Sequence, residues 1–449
     1  MQPQHRYDIL IRGATVLTAD SELPIIEDAV IGIRDTRIAL LDSAAACKQD
    51  LNGERVIEAA GRIVTPGFIN VHTHTVLCLL RGVSEDMGFA PAYTEGVPHG
   101  HDITEEEAVA LARLGALEAL LFGSTLINDS YVHAQHTLPA MGDIGLRVHA
   151  CGRLHDVDFS RVHLHQWEYS NEIGEHRLRE ALDLAAEFHG KMNGRLGVQL
   201  APHAPDTCSA ALLHAVRRAR DETGLRVNTH LAQTRIEIER VQQRDGMTPA
   251  ELLTDVGLLD DRLIAAHGLF LNERDIIRVA ENGTTIAHSP KVNAIGGCQA
   301  PTSSMRRAGV RIALATDAMH ADMVEIMRWA LASGRIQEGR VDDFWQPHHV
   351  FQMATLAGAT AMGLEDDLGS LKLGKKADLV LFDFRRPHLT PISDPLGNLV
   401  HTAHGRDVET VIVDGRIVVD CGNPVLVNGD AIRAEAAAAT KALWQRARH

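Results

Sequence analysis

The sequence has no C-x-x-C pair, no cluster of basic residues, no long apolar run and no low-complexity linker. Each absence closes off a class of protein. The six cysteines, Cys47, Cys78, Cys151, Cys208, Cys298 and Cys421, are scattered through 449 residues. They fit neither a disulfide framework nor a thiolate zinc site, and read as reduced thiols of a cytosolic protein. Lysine and arginine total 44 against 59 aspartates and glutamates, a net charge of −15. With no local basic patch, that balance argues against nucleic acid or an anionic membrane as partner. The amino-terminal stretch lacks a secretory apolar core, and no segment is long and apolar enough to span a bilayer. The expected compartment is the cytoplasm and the expected partner a small molecule.

What is present is ordinary globular composition, 45% hydrophobic and 23% charged, at a length that holds one barrel-sized domain and a smaller companion. The first sixty residues are short alternating runs at 7–16, 29–41 and 55–59, broken by Gly, Asp and Asn. That is β punctuation. The same texture returns in Ala377-Asp-Leu-Val-Leu-Phe-Asp-Phe and in a hairpin over 408–420 around Asp414-Gly415. Residues 1–62 and 364–429 are therefore expected to build one small β-sandwich from both chain ends, with a helix over 430–449. Between them, apolar strands at 63–74, 124–130, 146–153, 196–203, 226–231, 263–268, 284–288 and 310–316 alternate with helical patterns. The clearest helices are 104–121, 175–188, 210–223 and 272–281, the first opened by the capping box Thr104-Glu-Glu-Glu107. Eight buried strands with helical crossovers predict an α/β fold, a closed (β/α)8 TIM-like barrel over 63–363.

Chemistry in such a barrel sits at the C-terminal ends of the strands. The first strand ends in His72-Thr-His74, a spacing that aims both imidazoles to one side. The fifth ends at His230 and the eighth at Asp317. Three imidazoles and one carboxylate suit one divalent ion, zinc foremost with iron or manganese as alternatives, and leave a position for water. The sixth strand ends at His267, a neutral imidazole able to hold the attacking water or polarise the reacting group. His203, ending the fourth, either reaches substrate or packs in its loop, and His288, ending the seventh, reads as structural. No lysine ends the fourth strand to bridge a second metal, since Lys191 precedes it, so a single ion is expected. In the loop 156–175, Trp167 and Tyr169 either stack on a planar ring or pack the loop.

At these residues the chain resembles the amidohydrolase superfamily. The similar branch holds the S-adenosylhomocysteine/methylthioadenosine deaminases, the cytosine- and guanine-type deaminases and the triazine hydrolases. The matching motifs are Pro66-Gly-Phe-Ile-Asn-Val-His-Thr-His, Leu79-Leu-Arg-Gly, Ala201-Pro-His-Ala-Pro-Asp-Thr-Cys-Ser, Thr229-His-Leu-Ala-Gln-Thr, Ala266-His-Gly, Ala287-His-Ser-Pro and Ala315-Thr-Asp. The closing Gly369-Ser-Leu-Lys-Leu-Gly-Lys-Lys-Ala-Asp-Leu-Val matches as well. The resemblance implies that His72, His74, His230 and Asp317 bind the metal and that His267 assists at the reacting carbon. It implies too that Asp317 takes a proton from activated water, that His203 touches substrate, and that the protein is a homodimer. The family reaction is hydrolytic attack on an electrophilic carbon that expels ammonia, an amine or, in a few members, chloride.

Two positions depart from that pattern. Gln233 stands where deaminases of this branch usually carry a glutamate that shuttles a proton, and an amide cannot serve as that acid. Glu237, one helical turn on, is a weak substitute, since a solvent-facing glutamate there is commoner. Asp206 replaces a tyrosine of the nucleoside deaminases; with Glu85 and Asp86 it either makes the mouth acidic, favouring a neutral or cationic substrate, or is a solvated rim charge. Asp206, Gln233 and Trp167 thus join His203 as candidate substrate contacts. The expected activity is metal-dependent cleavage of a C–N bond in an amino-substituted heterocycle or amidine-like molecule. Gln233 keeps open hydrolysis of an amide, urea-type carbonyl or aryl chloride. A non-catalytic scaffold is the alternative of another class, and would be expected to have lost ligands that this chain retains.

Overall fold

A computed structural model describes residues 6–47, 51–87 and 90–447; the outermost parts of the expected terminal sheet and last helix, 1–5 and 448–449, lie outside them. Eight parallel strands form two four-stranded sheets. One is Phe68–Thr73, Ser124–Tyr131, Arg147–Gly152 and Leu196–Val198; the other is Val227–Leu231, Leu263–His267, Thr285–His288 and Arg311–Leu314. Almost every strand residue is buried, as expected where helices cover a parallel sheet. Single bridges join the two sheets, Leu200 to Val227 at one seam and Thr73 to Asp317 at the other.

The apolar run 63–74 is two strands, not one. Arg62–Pro66 pairs with Leu379–Asp383 and with the first strand of the chain; Phe68–Thr73 opens the parallel array. The division falls at Gly67, where an added Cβ would lie 2.0 Å from the Thr125 hydroxyl. Both halves are equally apolar, so periodicity could not locate the break.

Both chain ends contribute to a nine-stranded mixed sheet. Because Arg62–Pro66 hydrogen-bonds to strands from each end, this is one continuous sheet, where the sequence pattern predicted two facing ones. Its own core is built by Ile9, Ile11, Ile31, Ile33, Leu379 and Ile412. The hairpin of Val408–Val413 and Arg416–Asp420 turns at Asp414 and Gly415, with φ of 50° and 75°, the doubly left-handed turn that matches strand twist.

Local signals set the helices. Thr104 caps Glu105–Leu121, its hydroxyl accepting from Glu107 N at 3.3 Å while the Glu107 carboxylate accepts from Thr104 N at 3.0 Å. Ala210–Thr223 starts after Ser209 and stops at Gly224, in the left-handed region. The helix expected over 175–188 starts earlier, at Asn171, under the Ser170 cap. Gly429–Ala447 buries Ile432, Ala436, Ala439 and Leu443; Arg446 pairs with Glu107, and the Trp444 indole donates to Leu79 O at 3.1 Å. Among the described residues, no helix is long and apolar enough to cross a membrane.

The terminal sheet is locked to the parallel array by a buried ion network. Arg147 donates to both Asp378 oxygens at 2.7 and 3.0 Å and to Asp414 at 2.7 Å, and Lys376 reaches Asp414 at 2.9 Å. The Arg147, Asp378 and Asp414 side chains are 3–5% exposed. Arg147→Ala would leave the buried Asp378 without a charged partner among the described residues and Asp414 with Lys376 alone, so we expect a loss of about 3–5 kcal/mol in denaturant unfolding. Arg6→Ala, which breaks only the exposed pair with Glu54, should change stability by less than about 0.5 kcal/mol.

Candidate metal centre and active site

Five side chains from four strand ends converge. His72 lies in Phe68–Thr73 and His74 just after it; His230 lies in Val227–Leu231; His267 ends Leu263–His267; Asp317 follows Arg311–Leu314. His267 and Asp317 have φ of 76° and 63°, and Ala232, beyond His230, has 50°. Left-handed backbone at non-glycine residues costs energy, and here it clusters where strand ends must aim side chains inward.

Each imidazole is oriented by its Nδ1. His74 Nδ1 donates to Ser130 O and His230 Nδ1 to His203 O, both at 2.6 Å. His72 Nδ1 lies 3.0 Å from Asn228 Oδ1, whose amide nitrogen donates to Val71 O. Carbonyl oxygens only accept, so the proton sits on Nδ1 and the Nε2 lone pair faces inward, the arrangement of metal-binding histidines. His267 Nδ1 is set in the same way, 3.2 Å from Asn293 Oδ1. Burial pushes the pKa of His72, His74 and His267 well below 6.5 and that of His230 to about 4, so all four are neutral donors at pH 7. Burial raises the Asp317 carboxyl to about 7.

The donor atoms lie close enough together to be candidate metal ligands. Ligands about 2.0–2.1 Å from zinc lie about 3.4 Å apart in a tetrahedral site. His74 Nε2 is 3.3 Å from His230 Nε2, and Asp317 Oδ1 is 3.5 Å from His74 Nε2 and 3.8 Å from His72 Nε2. His72 Nε2 is buried with no hydrogen-bond partner among the described residues, as expected of an atom reserved for a cation. His267 Nε2 stands 4.0 Å from Asp317 Oδ2, beside the donor set.

A cavity opens onto these atoms, lined also by Leu77, Pro91, Tyr131, Arg153, His203 and Gln233. His203 donates through Nδ1 to Thr207 Oγ1 at 2.8 Å and keeps Nε2 as its remaining polar atom. The Gln233 side chain is buried, its Oε1 without a hydrogen-bond partner among the described residues. Glu237 does not face solvent: it is fully buried and accepts from Ala232 N at 2.8 Å and Gln233 N at 2.7 Å. Burial, reinforced by Asp206, raises its pKa to about 8.

Asp206 is not a rim charge. It is fully buried, accepts from the Tyr93 hydroxyl at 2.8 and 3.1 Å and from the Trp167 indole at 3.3 Å, and burial raises its pKa to about 6. Neither Asp206 nor Trp167 lines the cavity among the described residues. Trp167 instead carries Arg240 over its ring at 5.2 Å. The charge at the cavity wall is positive: Arg153 lies over the Tyr131 and Phe159 rings at 4.5 and 4.3 Å. His288, read as structural, is buried with neither ring nitrogen hydrogen-bonded among the described residues.

Sequence reasoning also missed Asn228, Arg153 and Asp129. Asp129 is buried, accepts from Thr75 N and Oγ1, and so anchors the chain just after His74. Asn228 and Asp129 stand among other polar residues of buried strands, and Arg153 just after one, a weak signal beside the histidines.

Residues 63–418 match the Amidohydrolase family. The chain belongs to that family. Family members are metal-dependent hydrolases of carbon–nitrogen bonds other than peptide bonds, and this chain is one. It is 34% identical over 435 residues to a 5-methylthioadenosine/S-adenosylhomocysteine deaminase of Moorella thermoacetica, covering 95% of this chain and 97% of that one. It is 31% identical over 445 residues to a 5'-deoxyadenosine deaminase of Methanosarcina mazei, covering 98% and 99%. Its fold is similar to that of an adenosine deaminase from Xanthomonas campestris with bound zinc, at a TM-score of 0.87 and 25% identity over 98% and 99% of the two chains.

His72→Ala should abolish zinc binding at this site, a loss of one equivalent in competition with a chelator. Asn228→Ala, which frees the His72 ring without removing a ligand, should weaken it about 10–100-fold. Unchanged affinity in Asn228→Ala would mean that the ring needs no such support.

Proposed function

We propose that the protein is an aminohydrolase that removes the exocyclic amino group of an adenosine-type heterocycle, with one zinc ion held by His72, His74, His230 and Asp317. The carrying observation is the convergence of His72, His74 and His230, with donor atoms within 4.8 Å of one another, while Asp317 Oδ1 lies 3.5 Å from His74 Nε2 and 3.8 Å from His72 Nε2. The named activities of the Moorella and Methanosarcina relatives support the substrate class. The eight parallel strands are read as one closed barrel, supported by the bridges at both seams.

When bound, the ion supplies Lewis acidity and lowers the pKa of water toward neutrality. The side chains do the rest. Asp317, close to both His72 and His267, accepts a proton from the attacking water and returns it to the departing nitrogen. His267 accepts a hydrogen bond from the attacking water beside the reacting carbon, and its Asn293 contact keeps the ring aimed. His203 contacts the ring of the substrate from the opposite wall. Gln233 donates a hydrogen bond to a ring nitrogen but cannot protonate it. Arg153 favours an acceptor oxygen or an anionic group on that side of the substrate, where an acidic mouth would have favoured a cation.

Gln233 also supports a second reading, hydrolysis of a bond whose leaving group needs no added proton, such as an aryl chloride. The two are separated by incubating zinc-loaded protein with adenosine, 5'-deoxyadenosine, methylthioadenosine and S-adenosylhomocysteine, and in parallel with chlorotriazines. The expected result is ammonia from at least one nucleoside, lowered about 10²–10⁴-fold by Asp317→Asn. Chloride release with no ammonia would overturn the proposal in favour of the second reading. Gln233→Glu places a titratable group at the cavity, so the pH–rate profile of deamination should change shape. An unchanged profile would put position 233 outside the proton path.

A further inference from the structure

A second set of metal-binding side chains lies away from the active site, across two loops that border its cavity. His99, His101 and Asp102 each offer a donor atom, all within 4.8 Å of one another. His101 Nε2 is 3.4 Å from Asp102 Oδ1, and His99 Nδ1 is 4.0 Å from Asp102 Oδ2. His99 donates through Nε2 to Thr94 O at 3.0 Å, so its lone pair sits on Nδ1, toward the aspartate. That is the tautomer logic of the catalytic histidines with the two nitrogens exchanged. Asp102 is held in place by His99 N, which donates to Oδ2 at 2.7 Å.

The other loop brings a further imidazole beside this group, outside the set of donor atoms that lie within 4.8 Å of one another. His163, in the short helix Phe159–Leu164, stacks on His99 with ring centroids 4.7 Å apart and 27° between planes. Its Nδ1 is buried without a hydrogen-bond partner among the described residues. The His101 ring stacks on His99 as well, at 5.5 Å and 4°. The His99 side chain is 10% exposed while that of His101 is 38% exposed, so the group is anchored inside and open to solvent on one side.

We propose that His99, His101, Asp102 and His163 form a second divalent-metal site that clips the loop ending at Asp102 to the loop carrying Phe159–Leu164. Imidazole and carboxylate donors suit zinc or nickel better than calcium or magnesium, which prefer all-oxygen sites. The clip acts on the cavity because the first loop lines it and the second packs against two residues that do. The first contributes Pro91. In the second, Phe159 lies against Arg153 at 4.3 Å and edge-on to His203 at 4.9 Å. Joining the loops stiffens the walls that receive substrate and leaves the catalytic side chains untouched.

The test uses untagged full-length protein, stripped with a chelator and dialysed against buffered zinc, with bound metal counted by mass spectrometry. Wild type should hold two equivalents, and His101→Ala/His163→Ala should hold one. Amide exchange over 90–102 and 159–164 should slow as the second equivalent binds to wild type, with no such slowing in the double variant. His101 is exposed and both changes lie in loops, so this variant is expected to fold. His72→Ala/His74→Ala should lose the other equivalent and keep the loop protection. One equivalent in wild type, or two in the His101/His163 variant, would overturn the proposal. These readouts are independent of turnover, so they stand or fall separately from the reaction assigned to the cavity.

Discussion

The active site depends on a main-chain junction between the first and last parallel strands. Asp317 N donates to His72 O at 3.1 Å, His74 N donates to Asp317 O at 2.9 Å, and the Thr73 hydroxyl donates to the same carbonyl at 2.8 Å. These bonds join segments more than two hundred residues apart, and they carry the Asp317 carboxylate to 3.5 Å from His74 Nε2. They also hold Asp317 at a positive φ, a conformation that costs on the order of 1 kcal/mol and persists only where its surroundings over-determine it. Burial then does the electrostatic work: it keeps the imidazoles neutral and their lone pairs free, while raising the carboxyl toward the neutral range.

Features with a short-range cause were legible in the sequence. The Thr104–Glu107 box, the Ser209 and Asn272 caps and the Asp414-Gly415 turn each have their reason within four residues. The strand ends bearing His72, His74, His230, His267 and Asp317 were legible for a different reason: an apolar run that stops at a polar residue marks where a buried strand surfaces. Features whose cause lies far off were not legible. Gly67 divides two apolar strands because Thr125 leaves no room for a side chain. Asp206 looked like a solvated charge because its partners, Tyr93 and Trp167, lie in other loops. His163 reads in the sequence as a surface or loop histidine because the ring it stacks on is more than sixty residues earlier.

Gln233 and Glu237 show how one acidic group can be lost from a cavity while another stays close behind it. The Glu237 carboxylate is bound to the main chain of Ala232 and Gln233, and so shapes the turn that presents the amide. It shares a dry interior with Asp206, and two such carboxylates at close quarters resist joint ionisation. Their role is consistent with holding the loop in one conformation, with Tyr93 and the two backbone amides absorbing the charge.

The antiparallel pairing of Arg62–Pro66 with Leu379–Asp383 carries a consequence for biosynthesis. The strand that leads directly into the first two ligands pairs early with the first strand of the chain, but gains its neighbour on the other side only after some three hundred further residues have been made. The helix that donates Trp444 to the segment just after His74 comes later still. A nascent chain therefore leaves the ribosome with its earliest ligands braced on one side only, and the site can close only once the chain has been made through the helix bearing Trp444.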